Sequence, residues 1–180
     1  MFLLAYIPII FFFLLEFQRF KPIKEVTTKD NSNKIIGMTL LGMIVVPSFI
    51  FYEFANSKLI IYLLIVGMLM SCVGVWIRFS AIRVLGRFYS RKVGFQEEHK
   101  VIQVSWYKYI RNPGYLGTLL TYLGFAISTS SWISVIVNIA LYFLAYTYRM
   151  NIEERVMKSE FKDEYIQYIK KTWRIIPFIY

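Results

Sequence analysis

The run from His99 to Gly117 mixes cations, aromatic rings and amide groups, and it leads straight into an apolar stretch. His99 is the single histidine of the chain, and it follows Gln96, Glu97 and Glu98. No second histidine, cysteine cluster or paired-carboxylate spacing accompanies it, so a bound metal is not expected. Arg111, Asn112 and Pro113 stand where the polar run meets the apolar one. Pro113 suits the first position of a helix, where its missing N–H has no intrahelical partner. Asn112 then falls at the N-cap, where its side-chain oxygen can accept an orphan backbone N–H. The same free N–H groups attract a carboxylate. Gly114 and Gly117 strip the first turn of side chains, so that a ligand or a neighbouring helix can approach closely.

A second polar group follows later in the chain. Arg149 precedes Glu153 by four residues, and Glu154 comes next. An i,i+4 pair contributes only about 0.2–0.5 kcal/mol to a helix, so its position says more than its strength. Charges at the end of an apolar block, facing a basic segment, line a polar cavity at a membrane surface. A helix-start acidic pair is the simpler alternative.

The elements that position these groups are apolar. Hydrophobic residues make up 57% of the 180-residue chain and the mean hydropathy is +0.50. The excess is gathered into five blocks, 2–17, 35–54, 59–77, 115–128 and 132–148. The second and third are about 20 residues each, enough to cross a hydrocarbon core of about 30 Å. The last two are shorter and are joined by Ser128, Thr129, Ser130 and Ser131. They read as a helical hairpin that spans only just, or that packs against the other helices. The pattern predicts an all-α polytopic membrane bundle of about five transmembrane helices. Cys72, the only cysteine, reads as a small buried hydrophobe.

The formal net charge is +10. In a soluble protein this would point to nucleic acid. Here the cations cluster at 18–34, 78–112 and 149–174, beside the apolar blocks, and suit anionic headgroups instead. With five spans all three clusters fall on one face, which the positive-inside rule makes cytoplasmic. The N-terminus is then outside and the C-terminus inside. No cation precedes the first block, which argues against a cleaved signal peptide. From Asn151 the tail reads as an amphipathic helix, with Val156, Met157, Phe161, Tyr165, Tyr168 and Ile169 at helical spacing, ended by Pro177. The simplest expectation for it is a surface-lying helix whose aromatics anchor at the headgroups.

Taken together these pieces resemble the isoprenylcysteine carboxyl methyltransferase family in its prokaryotic form. That group of small integral-membrane methyltransferases also includes phospholipid N-methyltransferases. The family pattern, roughly His-x-Leu-Val-x-x-Gly-x-Tyr-x-x-x-Arg-His-Pro-x-Tyr-x-Gly, is met by His99, Val101, Ile102, Tyr107, Arg111, Pro113, Tyr115 and Gly117. Its later part, an acidic pair, then Phe-Gly-x-x-Tyr-x-x-Tyr and a late proline, is met by Glu153, Glu154, Phe161, Tyr165, Tyr168 and Pro177. Trp76, Arg78 and the stretch Leu85, Gly86, Arg87, Phe88 and Tyr89 look like the family's upstream region. The resemblance covers about residues 75–180. Ser105 stands where the family usually has glycine, Asn112 where it has histidine, and Lys162 where it has glycine. Asn112 keeps hydrogen bonding without a titratable charge, and Ser105 suggests a different loop path.

The resemblance implies S-adenosylmethionine as cofactor, held by His99, Lys100, Val101, Ile102, Tyr107, Arg111, Asn112, Pro113, Gly114 and Tyr115. It implies catalytic roles for Arg149, Glu153 and Glu154. Arg149 would fix an anionic acceptor, since a guanidinium suits a carboxylate bidentately. Glu153 would orient cofactor or substrate. Residues 1–60 would be N-terminal transmembrane helices for packing and lipid entry. Residues 61–180 would be the methyltransferase core, with a cytoplasmic loop at 80–112, a hairpin at 113–149 and the amphipathic helix at 150–180. The partners implied are membrane lipid and a lipophilic small molecule or lipidated peptide, with no nucleic acid. The acceptor implied is the C-terminal carboxylate of a prenylated cysteine, in a prokaryotic plasma membrane with the site facing the cytoplasm. A phospholipid amine or a polyketide hydroxyl fits the same pattern. A nicotinamide-dependent membrane reductase is a further rival, although such chains normally carry more upstream spans. A non-enzymatic basic membrane interaction protein suits the composition but not the co-occurrence of the two motifs.

Overall fold

A computed structural model describes residues 2–17, 32–50, 57–89 and 101–179. A short 3-10 turn (Phe2–Ala5) leads into α1 (Tyr6–Phe17), followed by α2 (Ser32–Ile50), α3 (Ser57–Leu85), α4 (Pro113–Ser128) and α5 (Trp132–Lys171). Further 3-10 turns occupy Gly86–Phe88 and Ser105–Lys108. Among the described residues there are no strands, only a single parallel bridge between Ile110 and Trp173. The five apolar blocks therefore return as five helices.

Three of them, α2, α3 and α5, are long and apolar enough to cross a membrane. The 16 residues of α4 reach about 24 Å at 1.5 Å per residue, short of the roughly 30 Å core. This helix sits at the centre, with Thr118, Leu119, Thr121, Tyr122, Phe125 and Ala126 buried. Phe12 of α1 and Tyr142 of α5 join Tyr122 and Phe125 in the main core. Cys72 points outward rather than inward. On a membrane helix that face meets lipid, so an outward thiol is no anomaly.

Small residues let α3 and α4 meet backbone to backbone. A β-carbon at Gly74 would lie 2.4 Å from Thr121 N, and one at Gly117 would lie 2.5 Å from Arg78 N. Gly67 and Gly124 close on each other in the same way. Ser71 adds a hydrogen bond from its hydroxyl to Thr121 O at 2.8 Å. Such close approach replaces the hydrophobic drive that helices lack in lipid. Of the two readings open for Gly117, the neighbouring helix is the one observed.

Pro47 lies inside α2 and so deprives the carbonyl four residues earlier, that of Met43, of its usual N–H. Asn138 of α5 supplies the missing donor. Its Nδ2 donates to Met43 O at 3.2 Å and to Tyr122 O at 2.9 Å. One buried amide thus ties α2, α4 and α5 where an open carbonyl would cost several kcal/mol by order of magnitude.

The turn at Ser128–Ser131 forms as the sequence suggests. Ser130 takes a positive φ of 58°, and the Ser131 hydroxyl caps α5 by accepting from Ser134 N at 3.4 Å. The fifth block does not stop at 148. It continues to Lys171, interrupted at Lys162 by a non-helical backbone with φ 42°. No glycine or proline lies between Trp132 and Ile176, so nothing local ends the helix near Asn151. Glu153 and Glu154 accordingly sit inside a helix, not at its start. The tail's aromatics also differ from expectation: Tyr165 and Tyr168 turn inward and pack against Val101.

Candidate active site

The loop ahead of α4 is fixed from three sides. Trp106 Nε1 donates to Ser80 Oγ of α3 at 2.8 Å, and its ring meets Trp76 edge to face. Tyr168 Oη donates to Tyr107 O at 2.7 Å. The segment after α5 zips onto 109–112: Trp173 N donates to Tyr109 O, Arg111 N to Trp173 O, and Asn112 N to Arg174 O, at 2.8–3.2 Å. Arg111 reaches into the end of α5, donating from Nη1 to Ile169 O and Thr172 O. Its Nε and that of Arg174 both bear on Glu154 Oε1, at 3.4 and 3.0 Å.

Pro113 opens α4 at its first position and Asn112 is the N-cap residue, as the spacing requires. The Asn112 side chain does not cap, however. Its Nδ2 donates to Arg174 O at 3.1 Å instead. The amide therefore joins the loop to the C-terminal segment, a task that needs a donor and no charge.

One turn into α4, Tyr115 Oη donates to Glu153 Oε1 at 2.7 Å. Arg149 Nε donates to the same oxygen, also at 2.7 Å. Arg149 is itself buried, and its Nη1 donates to Ser32 Oγ and to Asn33 Oδ1 at the start of α2. On another wall, Arg78 Nε donates to Glu16 Oε1 of α1 at 2.6 Å. Arg78 also donates to Gly114 O, Thr118 Oγ1 and Tyr89 Oη.

These groups surround a cavity of about 610 Å³, within the size range of small-molecule sites. Val101, Ile102, Tyr107, Arg111, Asn112, Gly114, Tyr115, Arg149, Glu153 and Glu154 all line it. Pro113 is buried beneath that wall. His99 and Lys100 lie outside the described residues. Phe12, Phe13, Ile36, Leu40, Ile82 and Met157 supply apolar surface. Among the described lining residues, the cations Arg78, Arg111 and Arg149 are matched by Glu16, Glu153 and Glu154. Burial, assisted by the neighbouring Tyr168, pushes the Tyr107 phenol above its ordinary range. Tyr107 is therefore a standing hydrogen-bond donor and not a base.

Glu16, Asn33 and Tyr146 line the cavity but carry no motif, and Arg78 and Tyr89 were legible only as part of the upstream stretch. One signal for Glu16 was available: a lone carboxylate in an otherwise apolar helix is functional by default.

A family model described as phospholipid methyltransferase matches residues 62–164. A probable protein-S-isoprenylcysteine O-methyltransferase from Oryza sativa subsp. indica is 28% identical over 116 residues, 63% of this chain and 61% of its own length. The protein-S-isoprenylcysteine O-methyltransferase of Schizosaccharomyces pombe is 29% identical, over 60% of this chain and 47% of its own. The chain thus spans between about half and three fifths of the length of these curated relatives. A solved structure of the eukaryotic intramembrane Ras methyltransferase, isoprenylcysteine carboxyl methyltransferase, superposes with a TM-score of 0.65. It does so at 19% identity, covering 98% of this chain and 63% of that one, and so speaks to the fold. The family resemblance drawn from the two motifs is borne out.

Proposed function

This chain belongs to the phospholipid methyltransferase family, and from that premise we propose that it is an integral-membrane, S-adenosylmethionine-dependent methyltransferase acting on a lipophilic acceptor. The acceptor of choice is the C-terminal carboxylate of a prenylated cysteine or a similar lipid-linked group. The observation that carries the reading is the meeting of the 101–115 segment with Glu153 and Glu154 around one cavity.

The cavity's make-up suits such a cofactor. Paired arginines and carboxylates complement an amino-acid zwitterion, and the apolar walls complement a nucleoside. S-adenosylmethionine, when bound, supplies an electrophilic methyl group on a sulfonium. Val101, Ile102, Tyr107, Arg111 and Asn112 to Tyr115 would hold it, together with His99 and Lys100, which precede Val101 in the sequence. Glu153 is held by two donors on Oε1, which leaves Oε2 for a donor on the ligand. Arg149, fixed from behind by Ser32 and Asn33, sets that carboxylate and biases the site toward an anionic acceptor. Glu154 draws Arg111 and Arg174 together and so stiffens the cofactor wall.

A carboxylate acceptor is ionised at neutral pH and needs no general base, so the protein's work is positioning and water exclusion. That suits a cavity where Tyr107 stays protonated. The positive-inside bias supports a cytoplasmic site, with the N-terminus outside.

The test is methyl transfer by the purified full chain in lipid nanodiscs, with labelled S-adenosylmethionine. N-acetyl-S-farnesylcysteine should gain a base-labile methyl ester. Transfer to phosphatidylethanolamine instead would move the acceptor to a phospholipid amine, the other reading the family permits. Label in neither acceptor, with no lipid species in a whole-membrane extract gaining 14 daltons, would reject the activity.

A further inference from the structure

Each of the two arginines that face the cavity from α3 and α5 is gripped by a residue of the N-terminal helices, outside the 62–164 family match. Asn33 and Ser32 hold Arg149. Glu16 holds Arg78. The second contact is an ion pair, with side-chain exposures of 14% and 13%. Packing does not require it, because apolar residues of similar volume stabilise a buried position as well or better. A carboxylate in an apolar helix is costly in itself. What Glu16 contributes, and an apolar residue would not, is charge and direction.

Both have a target in the cavity. Arg78 Nη1 donates to Gly114 O and Thr118 Oγ1, each at 3.1 Å, and so clasps the first turn of α4. That turn carries Gly114 and Tyr115 on the cavity wall. Among the described residues, the lining charges balance only while Glu16 is counted. Without it, the charge of the largely buried Arg78 side chain has no described carboxylate against it at this wall, and away from bulk water it repels a cationic ligand more strongly than an exposed charge does.

We propose that Glu16 is a positioning residue of the site, contributed by the N-terminal helix: it holds Arg78 against the first turn of α4 and cancels its charge, so that the cavity accepts a sulfonium nucleoside. The proposal rests on the methyltransferase reading. It makes α1 a working wall of the site and not only a packing helix.

The test compares two nucleosides of nearly the same shape, S-adenosylmethionine with its sulfonium charge and S-adenosylhomocysteine with a neutral thioether. Their affinities are measured by calorimetry on the full chain in nanodiscs. Glu16→Gln should weaken S-adenosylmethionine about ten-fold and S-adenosylhomocysteine by less than about three-fold. Glu16→Asp, which keeps the charge, should recover most of the ratio. Arg78→Gln should shift the ratio the opposite way, and it tests the idea even where Glu16→Gln fails to fold. Equal weakening of both nucleosides in each variant would assign the pair to packing and overturn the proposal. If the unsubstituted protein binds neither nucleoside, the methyltransferase reading itself falls, an outcome separate from an unchanged ratio.

Discussion

Two walls of the cavity are built in different ways. The wall formed by 101–115 and 149–154 lies within the residues that match the family, and its groups sit on recognisable spacing, Arg149 to Glu153 being one helical turn. The opposite wall comes from α1 and α2, whose partners are 62 residues away for Glu16 and 116 for Asn33. The first wall presents the groups suited to touch a ligand. The second orients them from behind. A motif therefore describes the proposed reacting surface and leaves out the α1 and α2 residues that grip Arg78 and Arg149.

The largest expected effect breaks the first wall where the second supports it. Arg149 is buried, and Glu153 shares its charge at 2.7 Å. Arg149→Met leaves that carboxylate without its cation; because Glu153 is partly exposed, the cost falls below the figure of about 3–5 kcal/mol for a fully buried pair. Methyl transfer should fall by about 100-fold or more, and denaturant midpoints in detergent should drop. Asn33→Ala removes only the rear support and should cost activity far less. If the two variants lose activity equally, the division between touching and orienting groups is wrong.

A milder change sharpens the same wall. Tyr115→Phe keeps the ring but deletes the 2.7 Å bond to Glu153. A hydrogen bond to a charged group is worth about 1.5–3 kcal/mol, or a loss of roughly ten-fold or more in kcat/KM. Stability should change less than activity, because the ring keeps its edge-to-face contact with Tyr146.

The third prediction is about pH. The folded protein holds the Tyr107 phenol above its ordinary range, chiefly by burial. A raised folded pKa contributes stability that is intact below the unfolded value of about 10 and is lost as pH climbs past it. The wild-type protein should therefore lose stability more steeply above pH 10 than Tyr107→Phe, and the two should run parallel between pH 6 and 9. Parallel curves above pH 10 would mean that Tyr107 is solvated.

What the sequence revealed follows from the same contrast. Apolar runs and the Ser128–Ser131 turn are local signals, and they marked all five helices. Pro113 and Asn112 marked the start of α4 for the same reason. The continuity of α5 past Tyr148 was hidden because charged residues there suggested a new element, although no breaker was present. The Asn112 side chain reads as a cap in the sequence, because its actual partner, Arg174 O, is 62 residues away. Asn33 carries no sequence signal, and Glu16 shows only as a lone carboxylate in an apolar helix, since packing alone brings α1 and α2 to the cavity.

The smallest effect concerns two positions where the chain departs from the family's glycines. Ser105 and Lys162 both keep a positive φ, 56° and 42°. Ser105 thus takes a backbone conformation that favours glycine, and the side chain is accommodated at a cost. A sparsely populated backbone region at positive φ costs a non-glycine residue about 1–3 kcal/mol, while glycine's extra freedom in the unfolded chain returns part of that. Ser105→Gly and Lys162→Gly should each stabilise the protein by about 0.5–1 kcal/mol by this balance. Neither residue belongs to the cluster of Val101, Tyr165 and Tyr168, and if the two sites act independently their effects should add within about 0.5 kcal/mol. Activity should stay unchanged, because neither side chain lines the cavity. Ser105→Ala is the sharper control, since it removes the hydroxyl without relieving the backbone. If it stabilises as much as Ser105→Gly, the hydroxyl and not the backbone was the source of the cost.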